Sequence, residues 1–243
     1  CLMQLEELQN QIVAVIQKYG AWGQVVSIDL ETKVLRPEDF LSNERVLAAG
    51  ISVRGFDGMV HTQTATLEED SDESEFALME KLGRMLEPIH ALVLAGYNIS
   101  GYDFPLLCLK LKRYDDYQRA KAAPGEKLKF PREYWALKDA LTRAYILDIM
   151  HVARFKVAKH DGTSARYLKL KDVIAHPMFS ALPLMKKKDL GEGDGEKNKG
   201  EVIYGMWKDR DARLVEYLEG DVHDTLLIAE ELFKPQPGAG SNP

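Results

Sequence analysis

The stretch VVSIDLET, Val25 to Thr32, decides how this chain is read. Val25, Val26, Ile28 and Leu30 favour an extended strand, and residues two apart on a strand share a face, so Asp29 and Glu31 project together. Two carboxylates beside an apolar run are costly unless a cation or a proton neutralises them. Hard divalent ions such as Mg²⁺ or Mn²⁺ take oxygen ligands of this kind, and two ions about 3.5–4 Å apart can clamp the attacking and leaving oxygens of a phosphoryl transfer. Taken alone, D-x-E is weak evidence and more often describes a strand end facing water.

Two more acidic positions stand out: Asp103 in GYNISGYDFPLL and Asp221 in VEYLEGDVHDT. The second lies in a helical pattern over Asp211 to Phe233. Tyr217, Asp221 and Thr225 are four apart there and share one face, while His223 and Asp224 beside them read as surface. A carboxylate ligand with a phenol one turn before it is suited to holding a metal and orienting a water.

Working outward, Leu5, Leu8, Ile12, Val15 and Ile16 have helical spacing, which predicts an amphipathic N-terminal helix over 1–20 laid on the body. Three short β-branched runs (25–30, 46–53 and 58–66) predict an antiparallel meander. Helices are expected over Phe76 to Pro88 and Pro105 to Tyr114, and a buried strand over Ala91 to Tyr97. YILDIM, Tyr145 to Met150, reads as a further strand and Leu168 to Ala175 as a helix. This order predicts an α/β fold whose mixed sheet gains parallel strands after the meander. The main domain spans 21–234, with a helical or irregular insertion over 115–143. A charged, glycine-rich loop over 186–200 is expected to be mobile, and 235–243 a disordered tail.

The chain has 243 residues, 45% of them hydrophobic, enough for one sizeable core. Its formal charge of −6 argues against a protein that grips nucleic acid over its whole surface. Residues Lys110 to Lys138 are locally basic, with Tyr114, Tyr117, Phe130, Tyr134 and Trp135 interleaved, which suits a track for a single strand or a solvated helical face. Cys1 and Cys108 resemble neither a disulfide framework nor a zinc ribbon, which favours a reducing, intracellular (cytoplasmic) setting. No apolar stretch approaches the ~20 residues of a membrane helix, so no membrane association is expected. Cys1 in place of an initiator methionine suggests that the true start lies upstream.

Taken jointly, these acidic motifs resemble those of the 3′–5′ exonucleases of the ribonuclease H-like superfamily, which carry four acidic residues in three ordered motifs. The matches are Ser27-Ile28-Asp29-Leu30-Glu31-Thr32, Gly96 to Pro105 around Asp103, and Tyr217-Leu218-Glu219-Gly220-Asp221. Tyr217, four before Asp221, resembles the tyrosine branch, which includes the proofreading domain of family B DNA polymerases; Glu216 stands where the histidine branch has its histidine. The resemblance covers about Val25 to Phe233. It implies a ribonuclease H-like sheet of five or six strands flanked by helices. It also implies two Mg²⁺ or Mn²⁺ ions held by Asp29, Glu31, Asp103 and Asp221, and a water aimed by Tyr217. Leu30, Thr32, Asn98, Tyr102 and Phe104 would contact the terminal nucleotide. The implied substrate is single-stranded nucleic acid, DNA in preference to RNA, with a replication or repair protein as partner. Asp148 resembles a strand-end aspartate with a supporting role. Gly220 departs from good helix formers and is expected to soften the helix at Asp221.

Overall fold

A ten-residue strand, β1 (Val25–Val34), is the centre of the molecule. The computed structural model describes residues 22–34, 41, 44–185 and 199–234. The expected N-terminal helix, nearly all of the charged loop and the tail lie outside the described residues. β1 pairs antiparallel with β2 (Glu44–Arg54), which pairs antiparallel with β3 (Val60–Thr66). On its other edge β1 pairs parallel with β4 (Val93–Gly96), and β4 with β5 (Tyr145–Asp148). The order β3-β2-β1-β4-β5, with β2 alone running against the rest, is a mixed five-stranded sheet in an α/β fold, an antiparallel meander continued by parallel strands, as the sequence predicts.

Seven helices flank it among the described residues: α1 (Asp72–Leu86), α2 (Asp103–Lys121), α3 (Arg132–Arg143), α4 (Ile149–Asp161), α5 (Leu170–Ile174), α6 (Lys199–Lys208) and α7 (Ala212–Leu232). The alternation of β1 divides the core. Val26, Ile28 and Leu30 join a cluster with residues of α1, α2 and α3, whereas Val25 joins a second with β4, β5, α4 and the C-terminal half of α7. None of these helices is long and apolar enough to cross a membrane.

Two expectations of local structure are corrected. The strand of YILDIM stops at Asp148, because that carboxylate accepts the Met150 N–H at 3.1 Å and caps a helix, α4, which the sequence reading passed over. Gly162 ends α4 with φ of 65°. Lys199 and Gly200, assigned by sequence to the charged loop, begin α6, whose Ile203 and Met206 are buried.

Within 115–143, α3 packs on α1 so closely that a Cβ at Gly83 would meet the Glu133 carbonyl oxygen at 2.0 Å. Tyr134 and Leu137 are fully buried there. The expected aromatic track is therefore largely core: Tyr114 stacks on Phe76 at 4.5 Å and Tyr134 on Phe130 at 4.2 Å, and Trp135 is the exposed ring. Several of its cations are engaged as well. Lys110 pairs with buried Glu75 at 2.9 Å and Arg113 with Asp72 at 2.8 Å, while Lys138 lies 3.6 Å from Asp115.

Candidate metal centre and active site

Asp29 and Glu31 sit on the β1 face that meets α7, and Gly50, the β2 partner of Asp29, lets α7 come close. A Cβ at Gly50 would lie 2.8 Å from the Leu218 side chain. Asp221, one turn beyond Leu218, reaches the pair: one ligand atom each from Asp29, Glu31 and Asp221 falls within 4.8 Å of the others. The β1–β2 register slips between Glu31 and Thr32, leaving Leu47 of β2 as the extra residue. A bulge of this kind bends the strand and re-aims its side chains beside a site.

Asp103 arrives by a different route. β4 pairs with β1 only as far as Ser27, so the Leu30 N–H beyond it needs another acceptor. Asp103 Oδ1 accepts that N–H at 3.2 Å. The loop between β4 and Asp103 is folded tightly: a Cβ at Gly96 would sit 3.0 Å from the Ile28 carbonyl oxygen. Asp148 holds the loop by accepting the Asn98 N–H at 3.1 Å, the Ser100 N–H at 3.1 Å and the Ser100 hydroxyl at 2.5 Å. Asp148→Ala should cost about 2–4 kcal/mol by orphaning these donors and the α4 cap. Chemical denaturation measures the loss, and Asp148→Asn, which keeps one acceptor, should recover part of it.

Glu31, Asp103, Tyr217 and Asp221 are buried, and Asp29 is half-buried. Burial, followed by the charges of Asp103, Glu31 and Asp221, pushes the Asp29 carboxyl well above the usual range, and Lys199 opposes the rise. Burial likewise raises Asp103, against its own N–H and that of Leu30 and with Glu31 adding to the rise. Burial and Asp221 raise the Tyr217 phenol, so it stays protonated at neutral pH.

The folded state therefore binds protons on Asp29 and Asp103 that the unfolded chain has released. The stability tied to them is present below the ordinary carboxylate range and is lost as pH rises through the raised values. With chelator present, the melting temperature should fall between about pH 5.5 and pH 8. Added Mg²⁺ should shrink that fall, because a bound cation replaces the protons.

Sequence reading missed Lys199. Its Nζ donates to Glu31 Oε1 at 3.1 Å and lies 5.0 Å from the centre of the Tyr217 ring. Burial alone would lower this lysine, but Glu31, Tyr217, Asp29 and Asp221 outweigh it and hold the ammonium charged. The signal in the sequence is the helical spacing of Val202, Ile203, Met206 and Trp207 immediately after it.

The other expected contact residues are distributed as follows. Leu30 turns its side chain into the core, and Phe104 packs partly buried against the same cluster. The Thr32 and Tyr102 hydroxyls are 2.5 Å apart and both approach buried Glu44, so one of them donates to the carboxylate while the other donates to its neighbour. Asn98 has φ of 66°, and its amide oxygen lies where a Gly101 Cβ would be 2.6 Å away, so it belongs to the loop that presents Asp103. Asp224, read as surface, is buried and accepts the Met185 N–H at 2.8 Å. Gly220 does not interrupt α7, which is continuous from Ala212 to Leu232.

A family B DNA polymerase is among the structural neighbours. That enzyme, from the hyperthermophilic archaeon Pyrobaculum calidifontis, aligns at a TM-score of 0.47 and 18% identity, over 86% of this chain and 24% of the polymerase. The chain thus spans about a quarter of that protein's length. No family model matches the sequence, and no curated protein does.

Proposed function

We propose that the protein is a divalent-metal-dependent 3′–5′ exonuclease that releases nucleoside 5′-monophosphates from single-stranded nucleic acid, DNA in preference to RNA. The observation that carries this reading is the convergence of Asp29, Glu31 and Asp221 within 4.8 Å, with buried Asp103 anchored to the backbone between the first two. The donor set fits the implied ions. It is all oxygen, which suits Mg²⁺ or Mn²⁺, and the raised proton affinity of Asp29 and Asp103, caused by burial and neighbouring carboxylates, is what a site short of positive charge would show. When bound, two such ions would lower the pKa of a water and stabilise the departing 3′ oxyanion.

The remaining steps belong to side chains of the chain itself. The Tyr217 hydroxyl, kept protonated, donates a hydrogen bond and fixes the direction of a water beside the terminal phosphate. The Lys199 ammonium, already drawn to Glu31, supplies a fixed positive charge where phosphate oxygens gather negative charge. Asp148 and Asn98 hold the loop from which Asp103 enters. The preference for DNA, and the association with a replication or repair protein, rest on the motif resemblance to proofreading domains.

Chromatography of the products tests the reading. Nucleoside 5′-monophosphates released from the start of the reaction are expected, faster from DNA than from RNA of the same sequence. Internal fragments, or products phosphorylated at the 3′ position, would contradict end-directed cleavage.

A further inference from the structure

We propose that His160, Asp161 and His176 form a second metal site, for a transition-metal ion of the Zn²⁺ type, apart from the acidic cluster. His160 and Asp161 close α4, and His176 caps the 3₁₀ turn Pro177–Phe179, whose Phe179 is fully buried. His160 Nδ1 and His176 Nε2 each lie 3.0 Å from the same oxygen, Asp161 Oδ1, and the two rings meet edge to face at 5.1 Å. One ligand atom from each residue falls within 4.8 Å of the other two.

Tetrahedral Zn²⁺, with bonds of about 2.0–2.2 Å, holds neighbouring donor atoms about 3.3 Å apart. The spacing of the two nitrogens from the shared oxygen is already close to that. Two imidazoles and one carboxylate favour Zn²⁺, Ni²⁺ or Cu²⁺ over Mg²⁺, so the chemistry separates this site from the all-oxygen cluster. Distance separates them as well. The thirteen-residue α4 rises about 1.5 Å per residue from the Asp148 cap, which puts the site near the far end of a helix roughly 20 Å long.

The affinity has a built-in limit. His176 Nδ1 accepts the Met178 N–H at 3.3 Å, which directs the ring's proton from Nε2 towards Asp161. An ion on Nε2 moves that proton to Nδ1 and forfeits the long cap, and with three protein ligands the fourth position stays open. The site therefore binds more weakly than a closed structural zinc site. Its effect is to staple the end of α4 to the turn at 176–179.

Zn²⁺ titrated into the full chain with Mg²⁺ in large excess, followed by calorimetry and melting temperature, tests the proposal, with Co²⁺ absorption as a second readout. One equivalent of Zn²⁺ should bind and raise the melting temperature. His160→Ala and His176→Ala should each weaken binding by about tenfold or more, whereas Asp29→Ala should leave it unchanged. His160 is exposed and caps nothing, so its variant remains informative if His176→Ala fails to fold. Absence of Zn²⁺ binding, unchanged affinity in His160→Ala, or loss of binding in Asp29→Ala would each overturn the site.

Discussion

Asp29→Asn is expected to abolish hydrolysis and, at the same time, to make the metal-free protein more stable. Both effects have one cause. Asp29 faces Glu31 and Asp221 across less than 5 Å, with Asp103 adding to their repulsion, and burial keeps water from screening the group. An amide at this position removes a charge that the fold must otherwise neutralise. It also removes an oxygen ligand with the charge that a divalent ion requires. The rate should drop on the order of 10³-fold or more. The melting temperature in chelator should rise by about 2–4 °C, equivalent to roughly 1 kcal/mol in a domain of this size. A stability gain paired with lost activity marks a site held under strain for function. Calorimetry and single-turnover rates on the same preparation measure the pair, and a variant that is both active and no more stable would remove Asp29 from the centre.

Tyr217→Phe separates chemistry from metal binding. The phenol is buried, one turn before Asp221 and beside Lys199, and its raised pKa makes it a donor, never a phenolate base, near neutral pH. Removing the hydroxyl leaves the carboxylates and the ring packing in place. Divalent-ion affinity should therefore hold within about twofold, while turnover falls on the order of 10²-fold. Mn²⁺ binding followed by magnetic resonance, alongside initial rates, distinguishes the outcomes. An unchanged rate would make Tyr217 a packing residue, and a loss of Mn²⁺ binding would give it a role in holding the carboxylates.

The features legible in the sequence are those set by local periodicity. Asp29 and Glu31 share a face because strand residues alternate, and Tyr217 and Asp221 share one because helical residues recur at four. The meander and parallel strands followed from β-branched runs and their punctuation. What sequence could not supply were pairings between distant segments. Lys110, Arg113 and Lys121 read as part of a basic track or a solvated face because their partners, Glu75, Asp72 and Glu73, lie on α1 some forty residues away. Asp224 read as surface because the Met185 N–H that justifies its burial comes from another segment. Lys199 read as solvated because charge and glycine precede it, although the helix that aims it at Glu31 follows it.

A 5′-labelled single-stranded oligonucleotide incubated with the protein and Mg²⁺ or Mn²⁺ tests the central claim most directly, with chelator and Asp29→Ala as controls. The expected result is a ladder that shortens stepwise from the 3′ end and vanishes with chelator and in the variant. An oligonucleotide that is bound yet stays intact, or one that Asp29→Ala still degrades at the wild-type rate, would contradict a hydrolytic metal centre at Asp29, Glu31, Asp103 and Asp221.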